Sequence, residues 1–248
     1  MEHMILDAHT HMGSEKWPGH APNVESADWA VDYLRQCGIW RCVTTPWQAV
    51  LCAEERDLDE GNAEALALHD RYPGFITPGV VIDFRWPERS MYWLETFHTA
   101  GFRWVGELVP KAEEGDAPFT NPAWHDLFAF ADEKKMVVQL HNTTGTAHVA
   151  RQFPKLKIVG SHLYPNILPE LVDLPNVMVD ISGANGGLYM QSLVKAREMF
   201  GVERLLYGTD FDGYDPLAFL ARCRHAFPED ELELLYFLNY ATLFDDAN

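Results

Sequence analysis

The chain has 248 residues, 47% of them apolar and 12% aromatic, which is ample for one large core and close to the usual length of a (β/α)8 barrel. A formal charge of −18 with no basic stripe excludes nucleic acid and anionic membrane surfaces as natural partners. No apolar run is long enough to span a bilayer, and MEHMILDAHTH lacks the basic-then-apolar order of a secretion signal, so the expectation is a cytoplasmic protein.

Short β-rich runs recur between segments of helical periodicity. Strands are predicted at MILDAH (4–9), RCVTTP (41–46), GFITPGVVI (74–82), FRWVGEL (102–108), MVVQLH (136–141), LKIVGSH (156–162), VMVDIS (177–182) and RLLYGTD (204–210). Between them, Ala65, Leu68, His69 and Tyr72 share one helical face. So do Trp124, Leu127, Phe128 and Ala131, after the start signal Asn121-Pro122. Leu232, Leu235, Tyr236, Asn239 and Leu243 repeat the pattern after Pro228. Eight alternating units predict a parallel sheet closed into a single (β/α)8 TIM barrel over residues 1–248. A doubly wound open sheet is the rival, but no glycine-rich nucleotide fingerprint follows the first strand. The irregular stretch 12–26 would then lie over the mouth of the barrel. Cys37, Cys42, Cys52 and Cys223 show no metal-ligand or redox spacing and read as reduced, buried thiols.

Catalytic groups of such barrels sit at the C-terminal ends of the strands. The first predicted strand ends in His9 and His11, whose i, i+2 spacing puts both imidazoles on one side. Glu107 stands near the end of the fourth, in phase with Arg103 and Val105. His141 ends the fifth. His162 ends the sixth, in phase with Leu156, Ile158 and Gly160, and Asp210 ends the eighth. Four of eleven histidines and two carboxylates at equivalent depth form a metal-binding constellation. Asp7 shares the phase of His9 and His11, as either an orienting acceptor or a residue buried lower in the barrel. His20 lies in the first loop and the other histidines in the tail, inside helices or beside them. DFDGYD has its glycine in the wrong place for a calcium loop.

These motifs resemble the amidohydrolase superfamily, in particular its amidohydrolase-2 (aminocarboxymuconate-semialdehyde decarboxylase-like) branch. DAHTH resembles the opening D-x-H-x-H, and LHNTTG and VGSHLY its fifth- and sixth-strand histidines. NVMVDISG resembles its seventh strand, YGTDF its metal-binding aspartate and NYATLF its closing helix. The resemblance implies a divalent metal, zinc first, with manganese, iron or nickel acceptable to the same donors. His9, His11, His141 and Asp210 would ligate one ion. His162 would ligate a second or act as base, and Glu107 would bridge two. Many members of that branch lack a bridging residue on the fourth strand, so Glu107 is a departure. VGELVP also resembles the strand of TatD-type metal-dependent nucleases. A homodimer is a further implication.

Three reactions follow as expectations. The first is hydrolysis of a small carbonyl substrate (lactone, ester or amide) by metal-activated water, with Asp210 and His162 moving protons. The second is non-oxidative decarboxylation of an unsaturated or aromatic carboxylate, and the third a TatD-like phosphodiester cleavage, which the acidic charge disfavours. Trp47, Trp86, Tyr164, Phe211 and Tyr214 are candidates to wall the substrate. Arg85 and Lys111 are candidates to grip a carboxylate, with Arg103 a weaker one, and Asn142 and Asn185 are candidate polar contacts.

Overall fold

The computed structural model describes residues 3–14, 26–183, 189 and 191–245. Its strands are β1 (Ile5–Thr10), β2 (Ile39–Thr44), β3 (Ile76–Pro78), β4 (Trp104–Leu108), β5 (Val137–His141), β6 (Lys157–Ser161), β7 (Val177–Asp180) and β8 (Leu205–Leu206). Parallel ladders join β1-β2-β3 and β4 through β8. At one seam Val80 N–H donates to Trp104 O (2.9 Å) and Gly106 N–H to Val80 O (2.7 Å). At the other, Ala8 N–H donates to Tyr207 O and Asp210 N–H to His9 O, both at 2.9 Å. Both seams are therefore hydrogen-bonded, and the sheet is a closed (β/α)8 barrel. β3 and β8 are shorter than their sequence runs; the third run continues only as an isolated bridge at Val80, and just past the eighth Phe211 bridges Thr10.

Around it stand α1 (Ala27–Gln36), α2 (Trp47–Val50), α3 (Glu55–Arg71), α4 (Pro87–Thr99), α5 (Ala123–Glu133), α6 (Thr144–Gln152), α7 (Leu168–Leu171), α8 (Ser192–Phe200), α9 (Pro216–Ala226), α10 (Glu229–Glu233) and α11 (Asn239–Thr242). α5 shows why they form where they do. Asn121 Oδ1 accepts from Ala123 N–H at its start, and Trp124, Leu127, Phe128 and Ala131 are all buried along one face. Each large apolar side chain so buried stabilises the fold by about 1.5–3 kcal/mol. At the C-terminus, Asn239 Nδ2–H donates to Val202 O and Leu205 O (2.7 and 2.8 Å), pinning α11 to the start of β8. All four cysteines are free and buried. Among the described residues no helix is long and apolar enough to cross a membrane.

The core has two layers. Leu6, Val43, Trp104, Val137, Val159 and Leu206 touch one another although they come from six strands, which only the interior of a closed barrel permits. Tyr240 stacks on Trp104 (5.7 Å, 22°) and closes the N-terminal end of the barrel. The outward-facing residues, including Val105, Leu108, Ile158 and Tyr207, pack with the helices.

This inner layer corrects the phase expected for three of the strand-end residues. Trp104 points in and Val105 out, so strict alternation would turn Glu107 outward. However, β4 advances from Val105 to Leu108 while β5 advances only from Val138 to Leu140, and this β-bulge re-aims Glu107 into the barrel. Gly106 (φ 100°) is needed there, since a Cβ on it would lie 2.2 Å from Gln139 O. A second bulge, between Asp7 and Thr10 on β1, turns His9 to the side of Leu6 and Ala8. His162, expected in phase with Ile158, instead adopts a left-handed backbone (φ 69°), as does Asp210 (φ 65°). Each such non-glycine residue costs about 1–3 kcal/mol and is held by its surroundings: His162 N–H donates to Asp180 Oδ1 (3.2 Å), and Asp210 N–H to His9 O.

Candidate metal centre

The strand-end histidines and carboxylates form two donor groups that share Glu107. In the first, His9 Nε2 and His11 Nε2 are 3.0 Å apart. Asp210 Oδ1 is 3.2 Å from His11 Nε2, and Glu107 Oε2 is 3.4 Å from His9 Nε2 and 3.6 Å from His11 Nε2. In the second, Glu107 Oε1 is 3.0 Å from His141 Nδ1 and 3.4 Å from His162 Nε2. Glu107 thus presents one carboxylate oxygen to each group. His9, His11, Glu107 and His162 are buried, while His141 (27% exposed) and Asp210 (14%) open to the mouth.

The electrostatics of the centre are those of carboxylates among imidazoles. Burial alone would raise the Glu107 pKa, but His9 and His141 outweigh it and hold it well below the ordinary range. Burial likewise opposes ionisation of Asp210, and His11 and His9 overcome it. For His9, burial disfavours the imidazolium, yet Asp180 and Glu107 lift its pKa well above normal. His11 and His162 are raised for similar reasons, against burial, by Asp210 and Glu107 respectively. Asp210 Oδ1 is buried and, among the described residues, accepts no hydrogen bond. Two facing imidazole nitrogens with an unsatisfied carboxylate oxygen beside them suit a cation far better than they suit one another.

A family model described as Amidohydrolase matches residues 7–239. The chain belongs to the amidohydrolase family. No curated protein matches this amidohydrolase. Among solved structures, it is similar to 2,6-dihydroxybenzoate decarboxylase from Rhizobium (TM-score 0.74, 13% identity, 98% of each chain covered). It is also similar to a probable 2-pyrone-4,6-dicarboxylic acid hydrolase from Acinetobacter baumannii, with citric acid bound (0.74, 16%, 98% of this chain and 99% of that one). A third is a dihydroxybenzoic acid decarboxylase from Polaromonas, with manganese and 2-nitroresorcinol bound (0.71, 14%, 98% and 97%). At such identities the likeness concerns the fold.

Tyr164 lies at the centre of this amidohydrolase, its hydroxyl 3.1 Å from His141 Nε2. Trp47 stacks on His11 but is only 3% exposed. Arg85 and Lys111 are both drawn to buried Asp83. Arg85 Nη2–H donates to Asp83 Oδ2 (2.7 Å) and Cys52 O (2.7 Å), and Lys111 Nζ donates to Val50 O (2.9 Å) and lies 3.5 Å from Asp83 Oδ2. Trp86 lies against the Arg85 guanidinium (4.5 Å). Asn142 Nδ2–H donates to His162 O (2.9 Å), bracing the end of β6. Phe211 is buried and stacks towards Tyr33 (6.4 Å, 18°), and Tyr214 lies edge-on to Phe219 (6.3 Å, 80°). Arg103 is at the opposite end of the barrel, donating to Phe244 O (3.3 Å), which removes it as a carboxylate clamp. Asp7 accepts from His9 N–H and Thr209 N–H (both 3.1 Å) and from Thr209 Oγ–H (2.6 Å), tying β1 to β8. Burial raises its pKa to about 7. His20 and Asn185 lie outside the described residues.

Sequence reasoning did not single out Asp180, Ser182 or Asp83. Asp180 is fully buried with its Oδ2 3.1 Å from His9 Nδ1, and Ser182 Oγ is 2.8 Å from His162 Nδ1. The available signal was a carboxylate inside the apolar run VMVDIS, where a buried charge demands partners.

Proposed function

We propose that this amidohydrolase is a metal-dependent hydrolase of a small carbonyl substrate, a lactone, ester or amide. Glu107 carries the reading, because its two oxygens face two separate donor groups. His9, His11 and Asp210 would hold one divalent cation, zinc first, and His141 and His162 a second, with Glu107 between them. Bound there, divalent cations supply Lewis acidity and lower the pKa of water to about 7. Asp210, kept ionised by His11 and His9, takes the proton of the attacking water at Oδ2 and returns it to the leaving group. Tyr164 stands beside the exposed edge of His141 and offers its hydroxyl to the substrate. The structural likeness to 2,6-dihydroxybenzoate decarboxylase supports a second reading, non-oxidative decarboxylation with His162 as proton carrier. Against it, the rim cations Arg85 and Lys111 are already engaged with Asp83.

The test is metal content per chain in wild type and Glu107→Gln, followed by lactone, ester and amide panels. About two ions falling to one or fewer supports the bridge and hydrolysis. One ion in both moves decarboxylation ahead, and none after repletion ends the donor assignment.

A further inference from the structure

We infer that Asp180, acting directly on His9 and through the Ser182 hydroxyl on His162, is one shared positioning unit that presents both imidazoles, one from each donor group, with Nε2 facing Glu107. The inference rests on the metal-centre reading above and concerns how the chain prepares its own side chains for a cation.

Hydrogen-bond accounting leads to it. Asp180 accepts from the backbone N–H groups of His162 and Ser182 and from Gln139 Nε2–H, so its carboxylate stands here as an acceptor only. The contact between His9 Nδ1 and Asp180 Oδ2 (3.1 Å) must then use a ring proton, which leaves His9 Nε2 for the centre. Ser182 has one hydroxyl proton and sits in very close contact with Asp180 Oδ1, to which it donates. Its oxygen therefore accepts from His162 Nδ1–H at 2.8 Å, and His162 Nε2 is turned to Glu107 Oε1. The same oxygen is 2.9 Å from His9 Nδ1, so the two rings meet at one hydroxyl.

Asp180 is itself held. Besides His9 and Ser182 Oγ it accepts from Gln139 Nε2–H (2.9 Å), His162 N–H (3.2 Å) and Ser182 N–H (3.0 Å). Five donors on a group with about four lone-pair sites leave nothing for a cation, although Asp180 lies within ligand distance of His9 and His162. It stands behind the imidazoles as a second layer. Gly183 confines the His162 ring as well: a Cβ on it (φ 67°) would lie 2.6 Å from His162 Nδ1.

Acceptors behind metal-binding imidazoles fix tautomer and ring angle, and losing them weakens metal binding by about 10–100-fold. The geometry divides that effect. Asp180 serves both groups, whereas Ser182 is, among the described residues, the ring partner of His162 Nδ1 and only a second partner of His9 Nδ1.

The experiment titrates zinc against a chromophoric chelator with metal-stripped wild type, Asp180→Asn, Ser182→Ala and Ser182→Thr. His141→Ala marks the step that belongs to the His162 group. Wild type is expected to show two steps. Asp180→Asn weakens both by about 10–100-fold, Ser182→Ala weakens only the marked step, and Ser182→Thr, which keeps the hydroxyl, restores it. Two zinc steps in Asp180→Asn and Ser182→Ala within twofold of wild type overturn the inference while the metal reading stands. Equal weakening of both steps in Ser182→Ala overturns the division between the groups. Wild type that binds no zinc overturns the metal reading and the inference together. If Asp180→Asn does not fold, the Ser182→Ala and Ser182→Thr pair decides. Zinc-free thermal unfolding that is the same in Ser182→Ala as in wild type separates positioning from loss of structure.

Discussion

Trp47 lies nearly flat on His11, ring centroids 3.7 Å apart at 27°, and its indole N–H donates to Asp212 Oδ1 (2.9 Å). The short helix α2 thereby covers one face of a strand-end histidine and is tied to the loop that carries Asp210. A residue that reads in sequence as a wall for substrate is buried as a cover for His11. Trp47→Phe keeps a ring on His11 but loses the Asp212 bond, at a cost of about 1 kcal/mol in stability with little change in KM. Trp47→Ala leaves a cavity and costs about 3–5 kcal/mol. Denaturant unfolding and steady-state kinetics check both. A many-fold rise in KM for Trp47→Phe at unchanged stability would return the indole to the substrate site.

Removal of divalent metal is expected to destabilise the protein, because buried Glu107 and partly buried Asp210 then face the imidazoles without a cation. Refilling at about 100 times Kd contributes about 2.7 kcal/mol, or roughly 5–11 °C in Tm for a chain of this length. Differential scanning calorimetry of stripped and zinc- or manganese-loaded protein measures it. Equal Tm values for the two would mean that these donors take up no ion.

Gly183→Ala meets two obstacles at once, a left-handed backbone (φ 67°) and His162 Nδ1 2.6 Å from the new Cβ. The ring of His162 must move, and affinity at its donor group should fall about tenfold or more. Zinc titration against His141→Ala as a marker reads this out. Wild-type affinity in the variant would show that the ring tolerates displacement.

Asp83 is the anchor for Arg85 and Lys111, and although burial opposes ionisation, Arg85 holds its pKa below the ordinary value of 3.8. A carboxylate depressed in the folded state binds fewer protons there than in the unfolded chain. Its stabilising contribution is therefore complete above about pH 4 and is lost as pH falls through the lower folded value. Asp83→Asn should destabilise the protein by about 1–3 kcal/mol at pH 7, since the partly buried Arg85 and Lys111 lose their shared carboxylate, and should flatten the acid limb of the stability curve. Chemical denaturation from pH 2.5 to 7 tests this. An unchanged acid limb would mean that other carboxylates set it.

Much of the site was legible because barrels place chemistry at strand ends, and His11, His141 and Asp210 follow directly from that rule. His9, Glu107 and His162 stand at the right depth, but on a phase that the inner and outer core layers do not support. Their entry into the barrel depends on two bulges and on a left-handed residue, and none of these leaves a mark in hydrophobic alternation. Asp180 was missed for a related reason: its meaning comes from five donors on four different strand-end segments, which sequence spacing cannot bring together.

By itself the sequence determined the alternation of eight strands and helices, the apolar faces of α3 and α5 and of the C-terminal helical segment, and the presence of imidazoles and carboxylates at the strand ends. These are local properties, set by side-chain period and residue chemistry within one segment. The tertiary structure decided which of those groups meet. Glu107 reaches both donor groups because Gly106 packs against Gln139 O on the neighbouring strand. Arg85 and Lys111 are turned to Asp83, and Asp180 stands behind His9 and His162. Pairing between strands and the satisfaction of buried charge act across the barrel, so only the closed fold could settle them.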